Sequence, residues 1–290
     1  MLKQRIITAV ILAPLALVGV LFLPLQLFPL FAAIVTLLGA WEWGAFIAPK
    51  SKNETTKLHR IIFTTSLMLL MISLSVLVPL NQIWNQGHLH PIYQSVLIIS
   101  GLWWVVSIGL IFLYPKTTNF WSSSEFFKGL FGQLTLIPFW VGLIALRGYG
   151  YSSDPMLGGI LILSVFLMVW GADVGAYFVG RTLGRRKLMP NVSPGKTLEG
   201  MFGGLVTAMF TIVITHSYFY NIELLPLLLL VFITAFVSVF GDLSESMFKR
   251  NSGIKDSGKI LPGHGGVLDR IDSLTAAIPV FALGYLFLVA

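Results

Sequence analysis

Three aspartates, Asp242, Asp269 and Asp272, stand near a run of cations, and together they suit phosphate and metal chemistry. The stretch from Ser246 to Asp272, SMFKRNSGIKDSGKILPGHGGVLDRID, holds Lys249, Arg250, Lys255, Lys259 and Arg270. It also holds Asp256 and His264, with glycines at 253, 258, 263, 265 and 266. Glycines let backbone approach a ligand closely. Lys and Arg offset the charge of phosphates, and paired carboxylates suit Mg²⁺, which takes oxygen ligands and shares them with substrate phosphates. His264 fits either an acid–base group or a phosphate donor.

The elements that must position these residues are apolar. The chain has 290 residues, of which 56% are hydrophobic and only 11% charged, and its mean hydropathy is +0.85. That composition belongs to an all-α polytopic integral membrane protein. Apolar runs of about the 20 residues that a bilayer core requires fall at roughly 6–23, 27–47, 61–80, 93–114, 129–146, 157–180, 200–217, 222–241 and 270–289. About nine transmembrane helices are therefore expected, the first an uncleaved helix rather than a signal peptide. With no cysteine, disulfides and thiolate metal sites are excluded. The net charge of +7 reports topology and anionic headgroups rather than nucleic acid.

Charge also orients the helices. With a cytoplasmic N-terminus and an outside C-terminus, every one of the 19 basic residues except Arg147 falls on the inside. Those inside include Lys3, Arg5, Lys50, Lys52, Lys57, Arg60, Lys116 and Lys128. Loops 181–199 and 242–272 then face the cytoplasm, where nucleotides are found. The chain divides into an N-terminal region, 1–128, of about four helices and a C-terminal catalytic region, 129–290, that carries both loops. His88 and His90, in the outer loop 81–92, lack a third ligand and read as ordinary loop residues.

In this reading Asp242 ends the eighth span and Asp269 begins the ninth, so both lie at one membrane level with Asp272 three residues on. Asp269 also suits a helix cap, whereas a carboxylate at a helix C-terminus opposes the dipole, so Asp242 requires a metal or a lysine. Asp173, inside the sixth span, is either functional or the partner of a nearby cation. Gly195-Lys196-Thr197 resembles a P-loop tail, but Pro190 stands where glycine is required and no strand is expected before it. Ser193, Lys196 and Thr197 still suit an anion site at the start of the seventh span, with Glu199 completing its cap. Arg185, Arg186 and Lys187 read as headgroup partners, and Gly203 and Gly204 as helix-packing residues.

Taken together, Ser246-x-x-Lys249-Arg250, Lys255-Asp256-x-Gly258 and Leu261-Pro262-x-His264-Gly265-Gly266-x-x-Asp269-Arg270-x-Asp272 resemble the signature of the phosphatidate cytidylyltransferases. Asp173-x-x-Ala176-Tyr177-x-x-Gly180-Arg181 and Ser193-Pro194-Gly195-Lys196-Thr197-x-Glu199-Gly200 resemble further segments of that family. The resemblance implies a nucleotidyltransferase that joins CTP to phosphatidate, giving CDP-diacylglycerol and pyrophosphate for phospholipid synthesis. It implies Mg²⁺ on Asp242 and Asp269, with Asp272 close by, K⁺ as a second cation, and a homodimer in a bacterial inner membrane with its site facing the cytoplasm. Lys249, Arg250, Lys255, Asp256, His264 and Arg270 are then catalytic residues. Asp173, Arg181, Ser193, Lys196, Thr197, Ser246, Gly265 and Gly266 are then substrate-binding. Two other readings are a CTP-dependent polyprenol kinase, which the signature disfavours, and a transporter with Asp173 and Glu42 as pathway groups, which would require an inverted repeat.

Overall fold

The computed structural model describes residues 2–47, 53–216 and 222–289. Lys50 and Lys52 lie outside them, as do the side chains of Lys3 and Arg5. In a hydrocarbon environment the backbone satisfies its own polar groups by forming helices, and helices dominate. They are α1 (Leu2–Phe22), α2 (Phe28–Ile47), α3 (Asn53–Leu77), α4 (Pro91–Phe112), the short α5 (Thr118–Trp121), α6 (Glu125–Gly148), α7 (Leu157–Thr182), α8 (Leu198–Thr215), α9 (Leu224–Ser252) and α10 (Leu268–Val289). Eight of these, α2–α4 and α6–α10, are long and apolar enough among the described residues to cross a membrane. The apolar run described in α1 is Val10–Phe22.

The outer surface is apolar, with Val76, Leu102, Val105, Phe178, Val206 and Leu225 all exposed, as expected where lipid is the solvent. The most enclosed span is α6, which packs against α2, α4, α7 and α10. A Cβ on Gly142 would come within 3.2 Å of the Pro279 Cα, so α6 and α10 meet almost backbone to backbone. The α7–α8 pair is equally close, because Gly204 lies against the Ala172 carbonyl. This is the packing role expected of Gly203 and Gly204.

Hydrogen bonds sort the helix ends into two groups. At one end, Arg147 donates to the carbonyls of Pro155 and Leu23. Trp84 donates to the Ala145 carbonyl and the Leu25 N–H donates to Tyr151. The hairpin β1 (Trp84–Asn85)–β2 (His88–Leu89) lies here, and the His90 Nδ1 accepts from the Ile92 N–H, capping α4. At the other end, Thr8 donates to the Pro262 carbonyl and Trp43 to the Lys128 carbonyl. The polar segments around 181–199 and 253–267 lie at this second end.

Two expectations about the polar end are corrected. Helix α9 does not stop at Asp242; it runs ten residues further and closes at Gly253, whose φ of 69° is left-handed. The extension persists because its own apolar residues Leu243, Met247 and Phe248 are buried. The Phe248 ring lies 4.9 Å from that of Trp43, 5.2 Å from Trp121 and 6.2 Å from Phe131. The dipole argument for Asp242 therefore lapses, and residues 242–252 are helix rather than loop. The second correction is a strand before α8. β4 (Ser193–Thr197) pairs antiparallel with β3 (Lys187–Met189), turning the 181–199 segment into a hairpin. Lys196 sits within that strand rather than in a glycine loop, so the P-loop comparison still fails.

Candidate active site

Because α9 continues, Asp242, Glu245, Ser246 and Lys249 fall at i, i+3, i+4 and i+7 on one helix face. That face meets the first turn of α10, which carries Asp269 and Asp272. The Lys249 Nζ donates to Asp269 Oδ1 at 2.7 Å and to Glu245 Oε2 at 3.0 Å. The second Asp269 oxygen accepts the N–H groups of Ser257 at 3.0 Å and Gly266 at 2.8 Å. Asp269 therefore gathers the chain between α9 and α10 around itself. Gly265, at φ 84°, has no room for a side chain, because a Cβ there would lie 2.7 Å from Asp269 Oδ2. Leu261 and Gly265 form a backbone bridge that closes the turn.

Asp242 is held from the hairpin side. The Lys196 Nζ lies 2.6 Å from Asp242 Oδ2, and the Ser246 hydroxyl donates to Oδ1 at 3.3 Å. The charge of Asp242 acts on both Asp173 and Asp272, and Lys196 and Arg270 also act on Asp173. Asp173, Asp242 and Asp272 thus form one electrostatic neighbourhood, fed by three helices and one strand.

Beside it opens a cavity of about 360 Å³, walled by α7, α8, α9 and the hairpin. Asp173, Arg181 and Lys196 supply its charged groups. Ala176, Met201, Leu205, Ala235 and Val239 supply its apolar part. Ala235 lies seven residues before Asp242, about 10 Å along the helix at 1.5 Å per residue. The cavity therefore runs from the charged cluster toward the membrane interior.

The remaining expected site residues have varied surroundings. Gly266 contributes its N–H to Asp269. Lys255, Asp256 and Arg270 are exposed. His264 is half-buried, and its Nδ1 has no hydrogen-bond partner. Arg250 donates from Nε to the Val192 carbonyl at 3.2 Å, tying α9 to the hairpin. The Thr197 hydroxyl accepts from the Gly200 N–H and caps α8. The Glu199 carboxylate accepts its own backbone N–H in the first turn of α8, as expected of a cap, and also the N–H groups of Arg185 and Arg186, pinning the turn after α7. Ser193 opens β4 and is half-buried. Arg181 donates to the Tyr177 hydroxyl at 2.7 Å. Glu245, only 3% exposed, is a buried carboxylate that the sequence reading passed over. Its spacing from Asp242 and Lys249 was the signal, visible once α9 is carried past Asp242.

The cluster fits a hard cation by the chemistry of its donors. Asp173, Asp242, Glu245, Asp269 and Asp272 outnumber Lys196, Lys249 and Arg270, and every one of the acidic groups offers oxygen. Among the described residues no three acidic or histidine side chains close on one point. A cation here would take one or two carboxylates and complete its shell with water and phosphate, the habit of Mg²⁺. The ammonium groups of Lys196 and Lys249 are the counterions of Asp242 and Asp269 in this structure.

The cytidylyltransferase family model matches residues 3–288, nearly the whole chain. The chain belongs to the cytidylyltransferase family. Its similarity to individual members is also nearly full length. It is 42% identical to the phosphatidate cytidylyltransferase of Haemophilus influenzae over 294 aligned residues, covering 99% of each chain. It is 43% identical to that of Pseudomonas aeruginosa, covering 97% of this chain and 96% of the relative. With the Bacillus subtilis enzyme the match is 42% over 153 residues, about half of each chain. As a cytidylyltransferase, the chain is a membrane-embedded nucleotidyltransferase.

Proposed function

We propose that this chain joins CTP to phosphatidate, releasing pyrophosphate and leaving CDP-diacylglycerol in the membrane. The observation that carries the reading is the charged cluster at the foot of an apolar-walled cavity, in a chain whose full-length relatives are phosphatidate cytidylyltransferases. Such a cavity suits a substrate with a phosphate at one end and acyl chains at the other. A lipid phosphate is already a good nucleophile, so no strong base is required. Its oxygen attacks the α-phosphorus of CTP, the new P–O bond forms, and the bond to the β-phosphate oxygen breaks as pyrophosphate leaves.

The obstacle is repulsion between two anions. Lys196 and Arg181, in the cavity wall, offset the charge of the lipid phosphate. Lys249 and Arg270 do the same on the α9–α10 side, and the fixed backbone around Gly265 and Gly266 holds the geometry for in-line attack. Mg²⁺, held by Asp242 and Asp269 with Asp272 adjacent, would supply Lewis-acid charge to the nucleotide phosphates. K⁺ as a second cation and a homodimer follow from the sequence resemblance, and no step above depends on either.

Incubating purified protein in detergent with labelled CTP, phosphatidate and Mg²⁺ should give a CDP-lipid and pyrophosphate. Transfer of the label's γ-phosphate to a polyprenol, or no transfer at all, refutes the reading. The topology that goes with it is nine spans, N-terminus in, in a bacterial inner membrane, supported by the charge split that isolates Arg147. Lys259 is exposed and the chain has no cysteine, so Lys259→Cys gives one clean label. The cysteine should resist an impermeant maleimide in intact cells and react in inverted vesicles. Labelling in intact cells overturns the orientation.

A further inference from the structure

Glu42 lies on α2, far from the signature in sequence, and is completely buried. Its Oε2 accepts the Leu268 N–H at 2.7 Å and the Ser257 hydroxyl at 3.3 Å. Leu268 is the first residue of α10, so this carboxylate satisfies one of the four unpaired N–H groups at that helix start. Two signature glycines exist in contact with it. A Cβ on Gly258 or on Gly266 would overlap the Glu42 carboxylate, though neither glycine has a positive φ. Ser257 is shared: its N–H goes to Asp269 and its hydroxyl to Glu42. The next segment is shared in the same way, with the Gly266 N–H on Asp269 and the Leu268 N–H on Glu42.

We propose that Glu42 is a positioning residue for the signature loop, clamping residues 257–268 against α2 so that Asp269 and Asp272 leave α10 in the working direction. The loop is held between two carboxylates from separate helices. Asp269 lies on the side of the charged cluster, and Glu42 grips from behind without lining the cavity. This gives the N-terminal region a part in the chemistry of the C-terminal one. The requirement is an acceptor of the right reach at position 42. Glutamine meets it, alanine removes it, and aspartate falls one methylene short. The activity arm of the test rests on the proposed function; the proteolysis arm does not.

The experiment uses the full chain in detergent, with correct insertion and monodispersity checked first. Lys259 is an exposed trypsin site inside the clamped loop, and Lys255, also exposed, stands two residues before that loop. Glu42→Gln should keep most of the activity and the wild-type rate of loop cleavage. Glu42→Ala and Glu42→Asp should each lose at least about tenfold in kcat/KM, the scale of a deleted buried hydrogen-bond partner, and should be cleaved faster at the loop. Gly258→Ala should do the same by pushing its methyl group into the carboxylate. Combining it with Glu42→Ala should add little, since the obstruction is then gone, and this non-additivity is what a generally loosened fold would not show. Wild-type cleavage and activity in Glu42→Ala overturn the proposal. So do a Gln variant as impaired as the Ala variant, and full multiplicativity in the double variant. If Glu42→Ala fails to insert, Gly258→Ala alone decides: an unperturbed loop there overturns the clamp. A wild-type protein that makes no CDP-lipid would sink the proposed reaction, while the cleavage rates would still judge the clamp.

Discussion

Removing the ammonium of Lys196 tests the charge arrangement most directly. Lys196 lies in β4, its Nζ is 2.6 Å from Asp242 Oδ2, and each side chain is 28% exposed. It lines the cavity together with Arg181, whereas Arg185, Arg186 and Lys187 are exposed and do not. Those three therefore cannot stand in for it, as they would if the hairpin's positive charge mattered only for topology. A charge-assisted contact is worth roughly 1.5–3 kcal/mol, so Lys196→Ala should lose about 10- to 150-fold in kcat/KM. Lys196→Met, which keeps the apolar stem but not the charge, should fall with it. Lys196→Arg should retain part of the activity, because an ammonium acts as a point charge tolerant of geometry while the guanidinium carries its charge further out. Initial rates at varied CTP and phosphatidate, with insertion checked in parallel, measure all three. Wild-type kcat/KM in a correctly inserted Ala variant would remove Lys196 from the site and return it to topology alone.

Asp242→Asn and Asp269→Asn should each nearly abolish turnover in protein that still migrates as a single species in detergent. Near-normal rates at saturating Mg²⁺ would end the metal assignment for that residue. Phe248→Ala should lower the stability of the polar end by about 3–5 kcal/mol, the range for emptying a buried Phe site, and activity should fall with it because Lys249 is the next residue. A thermal midpoint unchanged in detergent would show that the aromatic cluster does not hold the α9 extension. Arg147→Met should lower that midpoint by several degrees, since the guanidinium ties α6 to Leu23 and Pro155 and is only 2% exposed. Turnover below the transition should stay near wild type, because Arg147 lies at the opposite end from the site.

The apolar spans were legible because a membrane helix announces itself by length and hydropathy alone. Their polar continuations were not. Hydropathy drops at Asp242, and a span read by hydropathy stops there, yet Leu243, Met247 and Phe248 carry a helical apolar face for six more residues of a helix that runs on to Ser252. Following periodicity instead of mean hydropathy would have found the extension and, with it, Glu245. The hairpin was missed for a related reason. Ser193, Lys196 and Thr197 read as loop chemistry, and what makes them a strand is the partner strand, with the α9 residue Arg250 holding the preceding turn at Val192. Glu42 was visible as a carboxylate inside a span, but its partners lie more than 200 residues away, and no local pattern points to them.

Those missed contacts change what the signature residues are for. Arg250 reads in sequence as a phosphate ligand, but its Nε bonds the Val192 carbonyl and joins the two polar segments. Glu199 fixes the same hairpin to the end of α7 through Arg185 and Arg186. Lys196 then reaches Asp242 from a strand anchored at both ends. On the other side, Asp269 and Glu42 divide the N–H groups of one loop between them. Fixed spacing in this stretch is therefore set as much by backbone geometry as by substrate contact. Gly258, Gly265 and Gly266 are required where a carboxylate presses against the chain. It follows that alanine at any of these glycines should damage activity as severely as loss of a charged residue, although none of their side-chain positions faces open substrate space.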